Sequence, residues 1–259
     1  MWHIRFGTND DWAYHIDRLV DHTRFDCKFG SLDSEDFTEF DCIVPMDLPD
    51  YKETEKNKAF EGIKFWTPTA DVIELCHDKL ALNRLLIGGS FADLVPPLYD
   101  SDTSRPFPYI LKRRRDAWGV NSYVITNSEE ERAVAPLLRL PQYFCQTYIT
   151  GAVEFALHVL MVHDKVVYAQ TVKYEMARSV YVKGKNCEPL RLMFLPQSDH
   201  IALYARLLVD LGYTGTCCIN YKMDNGVPKL LEINPRFGGS LVSDIDRYLG
   251  AYLGSLGCT

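Results

Sequence analysis

One stretch constrains this chain more than any other. Residues 215–236 read GTCCINYKMDNGVPKLLEINPR. Two apolar-rich runs flank Asn225-Gly226, a dipeptide suited to a tight hairpin reversal. After Leu230 and Leu231, the polar residues Glu232, Asn234 and Arg236 fall on alternate positions. A period of two puts Glu232 and Asn234 on one face at a strand end. Two oxygen donors placed there suit a hard cation. Pro235 has no N–H and ends the ladder. Arg236 follows as a planar cation suited to phosphate or carboxylate. Gly238 and Gly239 permit unusual backbone angles or the close approach of a ligand. The same residues fit a plain strand end running into a loop, so the rest of the chain has to decide.

The length of 259 residues allows one large domain or two to three small ones with real cores. A formal net charge of −7 argues against a polyanion, nucleic acid included, as a general partner. None of the eight cysteines has CxxC spacing, which argues against a zinc cluster. Several lie in apolar runs such as YFCQTYI and TGTCCINY, where cysteine acts as a small buried hydrophobe. This usage points to a reducing cytoplasm. The start, MWHIRFGTNDDW, carries charge where a signal peptide is apolar. No apolar run reaches membrane-spanning length.

Along the chain, MWHIRFG reads as a strand and TNDDWAYHIDRLVDH as a helix capped by Thr8 or Asn9. FDCIVPMD is a short strand ending at Pro45. TPTADVIELCHDKLALNRLLIGG reads as a turn and one helix, with Leu75, Leu82, Leu85 and Leu86 as its apolar face. YIL and SYVIT are strand-like and joined by a basic turn, and SEEERAVAPLLRL is a helix disturbed at Pro136. YFCQTYI and EFALHVLMVHDKVVYAQTVKYEM read as several strands, with a hairpin turn in VHDKVV. A polar segment spans 183–188, and SDHIALYARLLVDLGYTG is a helix stopped by Gly212. The tail 240–256 is helical with an interruption at Gly250. Loops near 100–106 and 183–190 are the expected mobile points. No internal repeat and no low-complexity linker is present.

With these elements in place, LLEINPRFGG resembles the metal-binding signature of ATP-grasp ligases. CHDKLALNRLL resembles their first nucleotide-lysine region, and FPYILKRRRDAWG their second lysine and phosphate loop. CQTYITGAVEF is similar to the hinge that holds adenine and ribose, and GYTGTCCINY to the strand carrying a further metal-side residue. The five motifs keep the family's order over residues 70–245, and the carbamoyl-phosphate synthase large chain carries a similar domain. The resemblance implies an α+β fold of two ATP-grasp lobes behind a shortened N-terminal α/β domain. Its expected divisions are 1–70 for that domain, 71–145 for the small lobe and 146–259 for the large lobe with the metal site.

The chemistry implied is the activation of a carboxylate by ATP as an acylphosphate, then attack by an amine, with release of ADP and phosphate. Glu232, Asn234 and Asn220 would hold Mg2+, with an amide at Asn220 where relatives often carry an acid. Arg236 and Lys112 would be catalytic, neutralising charge on the transferring phosphoryl group. Lys79, Lys112, Gln146, Tyr148, Ile149, Glu154 and Lys173 would bind the nucleotide, with Arg178 and Arg191 as further cationic candidates. His158 and His163 are expected to be structural or exposed. The loop after Lys112 departs from the family pattern: Arg113, Arg114, Arg115, Ala117 and Trp118 replace proline and small residues, and only Gly119 is retained. Its arginines either take over phosphate binding, make the loop less mobile, or hold an anionic substrate or, as the weakest option, nucleic acid. The expected partners are small carboxylate and amine substrates, with no membrane, and a homodimer follows from the class. A non-catalytic nucleotide binder and a phosphotransferase stay open as alternatives.

Overall fold

The computed structural model describes residues 1–33, 36–56, 60–100, 104–117, 119–195 and 200–258. Residues 101–103 of the expected mobile loop, Trp118 of the basic loop and Ser198 at the expected helix start lie outside the described residues. Strand β1 (Trp2–Phe6), helix α1 (Asp10–Leu19), β2 (Phe25–Phe29) and β3 (Cys42–Val44) open the chain. They build a parallel sheet in the order β2-β1-β3. Asn9 is the cap of α1, its side chain accepting from the Trp12 amide at 3.2 Å. Asp10 and Asp11 then favour the positive end of the helix. β2 and helix α2 (Leu48–Lys56) are additions to the sequence reading.

The helix expected around 70–87 is two helices, α3 (Ala70–His77) and α4 (Lys79–Ile87). Asp78 makes the break. Its carboxylate caps α4 at the Ala81 amide, 3.2 Å away, and receives the Arg114 guanidinium at 3.0 and 2.5 Å. Leu82 and Leu86 enter the core, whereas Leu85 faces outward at 52% exposure.

Strands β4 (Leu98–Tyr99), β5 (Tyr109–Arg113), β6 (Ser122–Ile125) and β7 (Tyr143–Thr147) form an antiparallel sheet in the order β4-β7-β5-β6. Helix α5 (Ser128–Leu138) covers it, packing Val134 with Tyr109, Leu111, Ile125 and Cys145. The cap is Asn127, and the helix runs on past Pro136 to Leu138, although the proline lacks the N–H that would bond the Arg132 carbonyl.

The third sheet is antiparallel, in the order β10-β9-β8-β11-β12. β8 (Val153–Val162) and β9 (Lys165–Met176) turn at His163 and Asp164, whose φ values of 48° and 62° are those of a tight hairpin. β11 (Gly215–Asp224) and β12 (Val227–Asn234) turn at Asn225-Gly226, as the sequence indicates. The edge strand β10 (Pro189–Leu195) was not expected. Helix α6 (Ile201–Asp210) ends before Gly212, whose φ is 64°. Helix α7 (Ile245–Ser255) passes through Gly250 without a break. Burial of Tyr248, Leu249, Tyr252 and Leu253 outweighs the roughly 1 kcal/mol that glycine costs a helix.

One apolar cluster joins the first sheet to the end of the chain. Ile4, Phe6 and Trp12 pack with Phe237, Leu241, Tyr248 and Leu253. The opening strands therefore share a core with the segment that follows the LLEINPR stretch. All eight cysteines are free thiols, six of them buried. Among the described residues, no helix is long and apolar enough to cross a membrane.

Candidate active site

A cavity of about 340 Å³ lies between the small and large antiparallel sheets. Strand alternation explains its walls. Ile110 and Lys112 share a face of β5, and Gln146 lies opposite Ile110 on β7. From the other side come Glu154, Ala156 and His158 of β8, Cys218, Asn220 and Lys222 of β11, and Glu232 and Asn234 of β12. Lys79 enters from the start of α4, and residues 181–184 cross one side. The Tyr181 amide donates to the Tyr148 hydroxyl at 2.9 Å, and Lys185 reaches across to the Ser122 carbonyl at 2.8 Å.

Glu232 is the centre of the polar wall. In the β11–β12 ladder Asn220 pairs with Glu232 and Cys218 with Asn234. The Asn220 and Asn234 amides both donate to Glu232 Oε1, at 2.9 and 3.0 Å. Lys79 Nζ lies 3.5 Å from Oε2 and donates to the Asp116 carbonyl at 2.6 Å. Burial works to raise the Glu232 pKa. Lys79, the Asn234 amide, Lys112 and the Asn220 amide outweigh it and pull the group down to about 2. Glu232 is therefore a carboxylate at any physiological pH.

Lys112 donates to Gln146 Oε1 at 3.1 Å and to the Leu231 carbonyl at 3.3 Å. Burial lowers its pKa to about 8, with Glu232 opposing and nearby Lys79 adding to the fall. Glu154 forms an ion pair with Lys183 at 2.5 Å and accepts from the Tyr181 hydroxyl at 3.4 Å. Lys183 is held above its ordinary range despite burial, chiefly by Glu154. Lys222 donates to the Ile149 and Gly151 carbonyls at 3.1 and 2.8 Å. Burial lowers its pKa to about 8 as well.

Arg236 stacks over Trp12 at 5.4 Å and lies 3.9 Å from Asp47, so the first sheet helps to set it. The next side chain, Phe237, is fully buried against Phe6, Trp12 and Tyr248. Gly238 and Gly239 keep ordinary backbone angles. Their close approach is to protein: a Cβ on Gly238 would lie 2.4 Å from the His158 ring, and one on Gly239 2.9 Å from Trp12 Nε1.

The structure thus brings Lys79, Lys112, Gln146, Tyr148, Ile149, Glu154, Asn220, Glu232, Asn234 and Arg236 to one cavity. Lys173 does not line it. Its neighbour Tyr174 faces the cavity, so alternation turns Lys173 to the other face, where it pairs with Glu175 at 2.8 Å. Arg178 binds the Asn186 carbonyl, and Arg191 stands opposite Glu175 in the ladder. The basic loop is tied down: Arg114 and Arg115 pair with Asp78 and Glu74. Of that loop Gly119 alone lines the cavity among the described residues, with φ at 64°.

Among the lining groups the sequence reading did not name are Lys222 and Lys183, and His158, expected to be structural or exposed, lines the cavity as a buried residue. Lys222 follows Cys218 and Asn220 at a period of two, a signal that was present. Lys183 belongs to an irregular segment with no pattern. His158 is fully buried, with Nε2 2.7 Å from Ser240 Oγ and, among the described residues, no hydrogen-bond partner on Nδ1. Burial lowers its pKa to about 3, aided by Lys183 and Arg236, so the imidazole is neutral.

No protein-family model matches the sequence, and no curated protein does. Solved structures do. D-alanine–D-alanine ligase from Bacillus anthracis complexed with ATP superposes with a TM-score of 0.63 at 10% identity, over 98% of this chain and 95% of that one. The biotin carboxylase–β-γ-ATP complex from Campylobacter jejuni gives 0.64 at 14%, over 98% and 71%. The chain has the ATP-grasp fold. L-amino acid ligase from Bacillus licheniformis shares that fold at a TM-score of 0.63 and 14% identity, over 94% of this chain and 69% of that one. In ATP-grasp terms, the cavity described above lies between the fold's two antiparallel sheets.

Proposed function

We propose that this chain is a nucleoside-triphosphate-dependent ligase. It activates a small carboxylate as an acylphosphate and joins it to an amine, releasing phosphate and the nucleoside diphosphate, ADP where ATP is used. One observation carries the reading. Lys79, Lys112, Lys183, Lys222 and Arg236 line one cavity with Glu232, Asn220 and Asn234 in a protein of net charge −7. These five cations outnumber the lining carboxylates Glu154, Glu188 and Glu232, and such a local excess of positive charge suits a triphosphate better than a neutral metabolite. Fold neighbours that include a D-alanine–D-alanine ligase and an L-amino acid ligase support the reaction class.

The donor set fits Mg2+. Glu232 and the amide oxygens of Asn220 and Asn234 are hard ligands, and magnesium keeps most of its waters. Both amide nitrogens now face Glu232 Oε1, so the amides would turn over to present oxygen. The ion, when bound, supplies neutralisation of the phosphate charge. The chain's own residues do the rest. Lys112 and Lys79 face the phosphates, and Tyr148 and Ile149 hold the base. Glu154 meets the ribose hydroxyls once it releases Lys183. Arg236 balances charge as a substrate carboxylate oxygen attacks the γ-phosphorus and the diphosphate leaves. The amine nitrogen then attacks the acyl carbon, the C–O bond to phosphate breaks, and the amine proton passes to the departing phosphate. His158, held neutral near the cavity, is no proton store for that step.

The three-part division at 70 and 145 belongs to this proposal, with the first part reaching the cavity through Trp12 and Asp47 beside Arg236. The pairing of Arg114 and Arg115 with acids favours a second reading, a nucleotide binder without turnover. A screen of carboxylic acids against amines for phosphate release tests both. Release that requires an acid and an amine together supports the ligase. Release with one acceptor and a phosphorylated product indicates a phosphotransferase, and nucleotide binding with no release across the screen indicates the binder.

A further inference from the structure

At the end of the cavity read as the base site, several acceptors already have lysine donors. The exocyclic amine of adenine is a donor and needs an oxygen from the hinge or from Gln146. Gln146 Oε1 already accepts from Lys112 at 3.1 Å, and its Nε2 donates to the Pro96 carbonyl at 3.0 Å. The hinge carbonyls of Ile149 and Gly151 already accept from Lys222, at 3.1 and 2.8 Å. Gln146 Oε1 and the Ile149 carbonyl, two of the acceptors open to that amine, thus each have one lone pair taken by a lysine ammonium.

Lys222 is 3% exposed and lines the cavity. Its ammonium lies 5.1 Å from the Tyr148 ring centre and 4.2 Å from that of Tyr181. An ammonium has three protons and no lone pair. A ligand edge that meets it must present an acceptor. Guanine and hypoxanthine present O6 beside N7, whereas adenine presents N7 beside an amine.

We propose that the base site selects 6-oxopurine nucleoside triphosphates over ATP, with Lys222 reading O6. The proposal rests on the reading of the cavity as a triphosphate site and names the base it takes. A site that donates to a ligand oxygen discriminates against the analogue that replaces it with a donor, because two donors are left facing each other.

The test is calorimetric titration of GTP, ITP and ATP, each with magnesium, into wild type and Lys222→Met. ITP has O6 and lacks the 2-amino group of GTP, so it isolates the oxygen. GTP and ITP are expected to bind wild type about tenfold or more tighter than ATP. Lys222→Met is expected to abolish or reverse that order, with a thermal melt confirming the fold. Lys222→Gln, whose amide can turn either its oxygen or its nitrogen to the ligand, is expected to bind both bases alike. ATP binding as tightly as GTP and ITP in wild type overturns the proposal. So does ITP behaving like ATP, or a preference that survives Lys222→Met. If no triphosphate binds at all, the nucleotide reading itself fails, and the base preference falls with it.

Discussion

His158 makes the stability of this protein depend on pH in a way that can be calculated. The imidazole is fully buried and its pKa falls from the ordinary 6.5 to about 3. Desolvation is the main cause, and Lys183 and Arg236 add to it. The unfolded chain binds a proton at this position below its ordinary pKa, whereas the folded chain does not until near the depressed one. Stability is therefore unaffected by His158 above about pH 7 and falls as the pH drops. At about pH 5 the loss is about 2 kcal/mol, from 1.36 kcal/mol per unit over roughly 1.5 units. Carboxylates titrate little between about pH 7 and 5, and a difference between two proteins cancels the remaining groups. Urea unfolding of wild type and His158→Gln at both pH values gives that difference directly. The variant, whose amide can still reach Ser240, should be flatter between the two conditions by about 2 kcal/mol. Equal pH dependence of the two proteins would refute the claim that a buried neutral imidazole stands in the cavity wall.

Two other perturbations probe the loop around the basic run. Gly119→Ala places a Cβ 2.7 Å from Val182 Cγ1 at a φ of 64°, so a loss of about 1–3 kcal/mol is expected in chemical unfolding. Stability within about 0.5 kcal/mol of wild type would mean that the loop is free to move away. Arg114→Ala removes a two-pronged partner from Asp78, which is 3% exposed and caps α4, and Arg115 remains 3.3 Å away to soften the effect. A destabilisation of about 1–3 kcal/mol is expected, and it should shrink sharply in an Asp78→Asn background when the double-mutant cycle is closed.

The site residues differ in how far the sequence reveals them. Glu232, Asn234 and Asn220 are legible because strand alternation is a local rule, and the tight Asn225-Gly226 turn sets two strands side by side. Lys222 obeys the same rule, but a lysine in mid-strand reads as solvent-facing until its carbonyl partners, more than 70 positions away, are known. Lys183 meets Glu154 across 29 positions with no repeating pattern to announce it. Lys173 shows the converse. Its charge suggested a phosphate ligand, and one step of the strand sends it to the other face. Helical periodicity continues smoothly across Asp78, so the break between α3 and α4 appears only with Arg114 in place. Gly238 and Gly239 read as room for a ligand, while the bodies that need the room are His158 and Trp12. The hairpins β8–β9 and β11–β12 are legible because they are built from chain neighbours, whereas β2 and the edge strand β10 are not. The join of the first sheet to the C-terminal helix was not, because its core draws on both ends of the chain.

The central claim is that Glu232 and its amides hold a metal-bound triphosphate in the cavity. Calorimetric titration of ATP and GTP, with and without magnesium, into wild type and Glu232→Ala tests it most directly. Binding should require magnesium in wild type and be lost in the variant. Binding that is indifferent to magnesium, or that survives Glu232→Ala unchanged, would contradict it.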